Sequence, residues 1–154
     1  MGKLWTFGDS FSCSFSENHP HCKNYREFKG YTPKIYSEII SDELKQYIHF
    51  TGHLSLEELA LVMASASVFT FVPYFEGFGI PIVEAMRCGT PVICSNKTSM
   101  PEVAGNTALI VDPHNIEEIA ESMQKIQNDI SLRKELSEKG LKRSTIFSWD
   151  ITAD

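Results

Sequence analysis

The feature that most constrains the fold is an apolar run, Val68–Val72, followed after four residues by a glycine-rich segment and a proline. A short apolar run bounded by turn residues predicts a buried strand. Gly77 and Gly79 allow the backbone to turn sharply and to approach a ligand closely. Pro81 suits the first turn of a helix, where its missing N–H costs nothing. We therefore predict a strand, a glycine-rich turn and a helix that stops at Gly89.

The predicted turn is a candidate site for an anionic ligand. Free backbone N–H groups and the positive end of a helix dipole converge at a helix N-terminus, which favours phosphate. A carboxylate on each side, Glu76 and Glu84, can accept hydrogen bonds from sugar hydroxyls. A nucleotide sugar carries both phosphate and hydroxyl groups, so it fits the predicted site. The plainer interpretation of Glu76 and Glu84 is two solvated carboxylates that flank a helix.

The same segment resembles the signature of the retaining glycosyltransferases of family 4, in which two glutamates separated by seven residues surround Gly-Phe-Gly-x-Pro. The resemblance runs from Asp42 to about Trp149 and includes five further short motifs. These are Phe50–Gly52, Cys88–Ile93, Pro101–Gly105, Val111–Pro113 and Phe147–Trp149. Each motif alone is weak, but their number and order make the resemblance specific.

The resemblance implies a role for each residue of the candidate site. Glu84 would bind the ribose hydroxyls, and Glu76, the candidate catalytic residue, would contact hydroxyls of the transferred sugar. The loop backbone would face the sugar and the diphosphate. The implied substrate-binding residues are Glu76, Gly77, Phe78, Gly79, Ile80 and Glu84. The resemblance implies a nucleotide-diphosphate sugar as the donor, with base and sugar unassigned, and neither a metal ion nor a resident cofactor.

A second resemblance covers about residues 3–45. The run Phe7–Ser12 is similar to the first block of the SGNH, or GDSL-type, hydrolases, which implies Ser10 as a nucleophile. That chemistry also requires a histidine base oriented by an aspartate. The family supplies the pair as Asp-x-x-His, and Asp112-Pro113-His114 is one residue short of it. A working hydrolase is therefore disfavoured, and we expect Ser10 to be a turn or cap residue.

The order of elements predicts an α/β fold. From Tyr47 onward strands alternate with helices, which predicts a single domain with a doubly wound parallel sheet. The sheet is expected to be Rossmann-like, as in half of a glycosyltransferase B-type fold. Residues 1–41 are predicted to form an SGNH-like strand, loop and helix that completes the domain of residues 42–154, and the two parts suggest a chimera.

Within this fold, apolar spacing predicts helices at about 33–46, 55–66, 116–128 and 130–146. Residues 11–32 are predicted to be a long polar loop. Ligands of such sheets bind at the carboxyl ends of the strands. The loops at 52–54, 73–79 and 95–100 are therefore expected to gather at one edge.

Composition and charge limit the partners that the protein is expected to bind and the cell compartment in which it is expected to lie. The 154 residues carry a net charge of −6, which argues against binding nucleic acid or a membrane surface. No apolar run approaches the ~20 residues of a membrane span, and the N-terminus does not resemble a signal peptide. We expect a cytoplasmic protein with reduced cysteines. Cys13, His19, His21 and Cys22 fit no standard zinc spacing, so no metal site is predicted.

Taken together, the sequence predicts a nucleotide-sugar-binding domain of a hexosyltransferase, truncated relative to full-length family members. The resemblance implies that those members carry an acceptor domain, so a separate acceptor-binding chain is a possible partner. A noncatalytic structural or interaction remnant is one alternative, and a serine hydrolase using Ser10 is another. Apolar surface exposed where a missing part once packed would favour a homodimer.

Overall fold

The computed structural model describes residues 3–7, 11–15, 47–49, 51 and 53–147. Six strands are found in this part: β1 (Lys3–Phe7), β2 (Phe11–Phe15), β3 (Ile48–His49), β4 (Val68–Phe71), β5 (Val92–Ser95) and β6 (Ala108–Val111). The described helices are α1 (Leu56–Ser65), α2 (Ile80–Arg87), α3 (Met100–Ala104), α4 (Ile116–Asn128) and α5 (Ile130–Ser144).

All six described strands form one sheet, in the order β3-β2-β1-β4-β5-β6. Strands β1, β4, β5 and β6 run parallel to one another, and helices connect the last three. Strand β1 lies between β2 and β4, so the strand order reverses direction at β1, as is typical of Rossmann-like folds. The predicted α/β class with a parallel sheet is confirmed.

Strand β2 departs from the prediction. It pairs antiparallel with β1, with Phe7 opposite Phe11 and Lys3 opposite Phe15, and β3 pairs antiparallel with β2. The prediction of a continuous loop over 11–32 is therefore wrong for residues 11–15. In the segment Phe-Ser-Cys-Ser-Phe, larger and smaller side chains alternate strictly, which is the period of a strand. Its serines, however, give it the polar composition that is typical of a loop.

The helices cover both faces of the sheet. Phe69 and Phe71 of β4 belong to one buried cluster with residues of α1, α2, α3 and β5. Val68 of β4 belongs to a second cluster that includes Ile126 of α4 and Leu136 of α5. Alternate residues of one strand thus serve two separate cores, as a doubly wound sheet requires.

Helix boundaries follow local side-chain chemistry. Helix α1 begins with a capping box, since Ser55 N–H donates to Glu58 Oε2 at 2.8 Å and Glu58 N–H donates to Ser55 Oγ at 3.2 Å. Asn115 caps α4 by accepting from Glu118 N–H at 3.1 Å. Asp129 caps α5 in the same way.

Several predictions fall outside the described residues. These are the helix at 33–46, the rest of the 16–32 loop, Ser10, the His19–Cys22 cluster and Trp149. Two cysteines lie in the described core: Cys94 is fully buried, and Cys88 packs at the edge of the first cluster. Burial raises the pKa of the Cys94 thiol to about 12.

Candidate functional site

The strand, turn and helix predicted around residues 68–89 are all present. Strand β4 is buried along its whole length and leads into a loop, residues 72–79, at its carboxyl end. Helix α2 begins after Gly79, with Pro81 in its first turn. It ends at Arg87, Cys88 is its C-cap, and Gly89 follows with a positive φ of 72°. The loop therefore lies at the edge of the sheet where ligands of this fold class bind.

The two glycines of the loop have different roles. Gly79 has φ +97° and ψ 39°, a left-handed conformation that glycine adopts without strain. Gly77 has no positive φ, and a Cβ added there would meet nothing within 4 Å. The prediction that both glycines serve the sharp turn holds for Gly79 alone. Gly77 instead leaves open space on the loop surface.

The carboxylate of Glu76 turns back onto its own loop. Its Oε1 accepts from Gly77 N–H at 3.1 Å and, at the outer limit of a hydrogen bond, from Phe78 N–H at 3.5 Å. Two successive amides that point at one anionic oxygen form a small anion-binding concavity. The loop is therefore shaped to receive negative charge, and in this state its own side chain supplies it.

The backbone amides at the N-terminus of α2 differ in whether they have a hydrogen-bond acceptor. Pro81 has no N–H, and Ile82 N–H donates to Gly79 C=O at 2.9 Å. No acceptor for the amides of Gly79 and Ile80 is found among residues 53–147. Within that range these two amides are therefore donors without an acceptor at the start of α2.

Ser99 joins this loop to the next one along the sheet. Its Oγ lies 3.0 Å from Phe78 C=O and 3.5 Å from Glu76 C=O, and it can donate to either. The predicted gathering of the loops at 73–79 and 95–100 is thus found. No hydrogen bond or ring contact joins His53 or Leu54 to the 73–79 loop in the described part. Ser99 was not predicted, because a serine just before a helix reads as a cap.

Glu84 is half-buried on α2 and has no side-chain partner among the described residues. Burial raises the pKa of its carboxyl above the usual value of 4.5. The pKa of the Cys88 thiol is also raised, by burial first and then by the negative charge of Glu84. An ionised carboxylate that is partly desolvated and unpaired costs free energy. Hydroxyl groups that donate hydrogen bonds to Glu84 would offset this cost.

Lys97, on the loop that follows β5, forms a salt bridge with Asp112. Lys97 Nζ lies 2.9 Å from Asp112 Oδ2 in a salt bridge. The pKa of Asp112 falls to about 2, mainly because His114 N–H donates to its carboxylate and then because of the bond from Lys97. Lys97 therefore serves as a brace between the loops that follow β5 and β6.

The described residues contain neither a metal-binding cluster nor a membrane-spanning helix. No group of three or more histidine, cysteine, aspartate or glutamate side chains is placed to hold a metal ion. None of the described helices is both long and apolar enough to cross a membrane.

Comparison with known proteins gives a consistent match. The family model for glycosyl transferases, group 1, matches residues 30–143. The O-antigen chain mannosyltransferase B of Escherichia coli is 36% identical over 125 residues, which are 80% of this chain and 32% of that protein. The serotype-specific mannosyltransferase WbdA of Escherichia coli is 39% identical over 104 residues, 68% of this chain and 13% of that protein. The chain thus spans at most about a third of these two relatives.

Solved structures share the fold. The sucrose-phosphate synthase from Thermosynechococcus elongatus superposes with a TM-score of 0.72 at 30% identity, over 78% of this chain and 31% of that one. The C-terminal domain of a group 1 glycosyl transferase family protein (LpcC) from Francisella tularensis superposes with a TM-score of 0.62 at 22% identity. That match covers 75% of this chain and 64% of the domain.

Proposed function

Because this chain belongs to the group 1 glycosyltransferases, whose donors are nucleotide sugars, we propose that the β4 loop and helix α2 form its donor site. The observation that carries the proposal is Glu84. Its carboxylate is partly desolvated and has no partner among the described residues, and it lies on the helix that directly follows a loop whose amides converge on an anionic oxygen. A ligand that presents both hydroxyls and phosphate satisfies both groups.

Each part of the donor then has a partner. Glu84 accepts hydrogen bonds from the ribose hydroxyls. The amides of Gly79 and Ile80 bind the diphosphate, together with the positive end of the α2 dipole. The open space above Gly77 admits the transferred sugar close to the backbone.

Glu76 changes partners in this scheme. Without a donor its Oε1 accepts from the amides of Gly77 and Phe78. When the donor binds, the carboxylate moves to the sugar hydroxyls and the two amides become available to the diphosphate. Glu76 is therefore the candidate catalytic residue, acting by holding the sugar.

The reaction is transfer of a hexosyl group to a hydroxyl. The bond between the anomeric carbon and the phosphate oxygen breaks, a bond to the acceptor oxygen forms, and the acceptor loses its proton. The departing nucleoside diphosphate gains negative charge at the oxygen that the loop amides face, so those amides and the helix dipole stabilise it. No metal ion is needed for this stabilisation.

Mannose is the sugar that the relatives favour, since both curated relatives described above are named mannosyltransferases. The nucleotide base is unassigned. The acceptor site would lie in another part of a longer protein or in a separate chain, in keeping with the share of the relatives that this chain spans.

The test is calorimetric titration with GDP, UDP, ADP and their sugars, the mannose form included. We expect one nucleotide to bind, and we expect Glu84→Gln to weaken that binding about tenfold or more, the range for hydrogen bonds to a charged group. Glu117→Gln, an exposed glutamate on α4, is the matched control and should bind as the wild type does. Failure of every nucleotide to bind to folded wild-type protein would refute the donor site.

We also propose a homodimer, a cytoplasmic location and a chimeric N-terminal segment, as the sequence predicts. The matches reported above are to glycosyltransferases, and the family match begins at residue 30, inside the stretch that resembles a hydrolase. Labelling of Ser10 by a fluorophosphonate would revive the hydrolase alternative, and sedimentation at several concentrations would test the dimer.

A further inference from the structure

The loop of the proposed donor site touches the C-terminal end of the described chain. The ring of Phe78 lies edge-on to the ring of Phe147, with centroids 5.9 Å apart and planes at 86°. This T-shaped geometry is favourable for an aromatic pair. Phe78 is 48% exposed, so the contact with Phe147 is a main restraint on its side chain. Phe147 lies four residues beyond the end of the family match.

Phe147 is itself held firmly. It packs against the first core cluster, and its carbonyl accepts from Arg87 Nη2 at 2.6 Å. The Arg143 guanidinium lies 5.7 Å from the Phe147 ring centroid, within the range of a cation–π contact. Arg143 in turn donates to the carbonyls of Val103, at 2.6 Å, and Glu102. Arg143 of α5, which is hydrogen-bonded to two carbonyls of α3, thus helps to hold the Phe147 ring in place.

Arg87 is the last residue of α2, and Phe78 immediately precedes the Gly79 cap at its start. Phe147 therefore contacts two side chains that flank the helix carrying Glu84: that of Phe78, just before its N-cap, and that of Arg87, its last residue. Ser99 fixes the Phe78 carbonyl from the opposite loop. Phe78, which precedes the proposed diphosphate-binding amides, is thus contacted by Ser99 at its carbonyl and by Phe147 at its ring.

We propose that Phe147 is a positioning residue for the donor loop: through the Phe78 ring it sets the orientation of the amides that receive the diphosphate. This inference rests on the proposed function for its ligand, but the contact itself is independent of any ligand. Phe147 does not touch the donor. Its effect on donor binding passes entirely through Phe78.

The test is a double-mutant cycle on nucleoside diphosphate affinity with Phe147→Leu, Phe78→Leu and the double variant. An edge-on aromatic pair corresponds to about a two- to tenfold change in affinity. We expect each single variant to weaken binding by that factor and the double variant to be no weaker than the worse single one. Phe147→Tyr, which keeps the ring, should restore wild-type affinity. Ile146→Ala, an exposed neighbour, is the control.

Amide hydrogen exchange supplies a readout that needs no ligand. In Phe147→Leu we expect the amides of residues 78–80 to exchange several-fold faster, while the β5 amides, which report global folding, keep their wild-type rates. Additive losses in the cycle, or unchanged exchange at 78–80, would overturn the inference. If wild type binds no nucleotide but exchange at 78–80 still rises, the proposed function fails and the positioning role of Phe147 stands.

Discussion

A Cβ atom placed on Gly79 would lie 2.7 Å from Cε and 3.2 Å from Sδ of Met100. Met100 is fully buried at the start of α3, but these atoms are the end of a flexible side chain, which can shift to relieve part of the overlap. Gly79 also has a φ of +97°, where a residue with a Cβ is strained by about 1–2 kcal/mol. We predict that Gly79→Ala lowers the free energy of unfolding by about 1–3 kcal/mol, with the backbone strain as the larger part.

Gly77→Ala is the matched control for this prediction. Its added Cβ would meet nothing within 4 Å and its φ is not positive, so we expect a change below about 0.5 kcal/mol. Urea denaturation of both variants measures the difference. Equal losses in the two variants would show that the left-handed turn and the Met100 contact are not what holds Gly79.

Thr70 carries the one fully buried side-chain oxygen without a hydrogen-bond partner in the described residues. It lies in the middle of β4 and is 2% exposed. Valine has nearly the same shape, lacks the hydroxyl and favours strands. We predict that Thr70→Val raises the free energy of unfolding by about 1 kcal/mol, because a buried unpaired hydroxyl is removed.

Thr90 is the contrasting threonine. It is equally buried, but its Oγ1 donates to Met63 C=O at 2.6 Å and so ties α1 to the segment before β5. Thr90→Val should lower the free energy of unfolding by about 1 kcal/mol. Thermal or urea unfolding of both variants tests the pair, and the same sign for both would contradict this explanation.

How far the sequence predicts the molecule depends on the range of the interaction. The β4 strand, the turn at Gly79 and the caps at Ser55 and Asn115 follow from signals within a few residues, and they were predictable. Strand β2 was not, because its hydrogen bonds go to β1 and β3 and its short serine-rich run resembles a loop. Tertiary pairing there overrides local polarity.

The candidate site shows the same division. Glu76 and Glu84 stand out by spacing and by resemblance, but the sequence gives no sign that Glu76 folds back onto its own loop amides. Nor does it indicate that Ser99 and Phe147 reach Phe78, since they are 21 and 69 positions away in the chain. Such contacts are set by packing, which a single sequence does not display.

The carboxylate of Glu84 should lower the stability of the folded protein while it contributes to nucleotide binding. Because burial raises its pKa in the folded state above the unfolded value, the folded protein binds this proton more tightly. Stability from this group is therefore lost as pH rises through the raised pKa. We predict that Glu84→Gln is more stable than wild type at pH 7 and that the gap narrows toward pH 4, while nucleotide affinity falls.

Urea midpoints at a series of pH values, measured beside the titrations, check this prediction. Glu117→Gln, at an exposed position on α4, again serves as the control. A Glu84→Gln variant less stable than wild type at pH 7 would mean that the carboxylate has a stabilising partner.

Asp112 should show the opposite sign. Its pKa is lowered from 3.8 to about 2 in the folded protein, chiefly by the His114 amide and then by Lys97. Between these two values the unfolded chain binds more protons, so the stabilisation is complete above about pH 4 and disappears as pH falls toward 2. We predict that Asp112→Asn is less stable than wild type at pH 6 and that the gap closes toward pH 2. Urea midpoints between pH 2 and 6 measure it, and a gap that is constant with pH would show that the Asp112 charge contributes nothing.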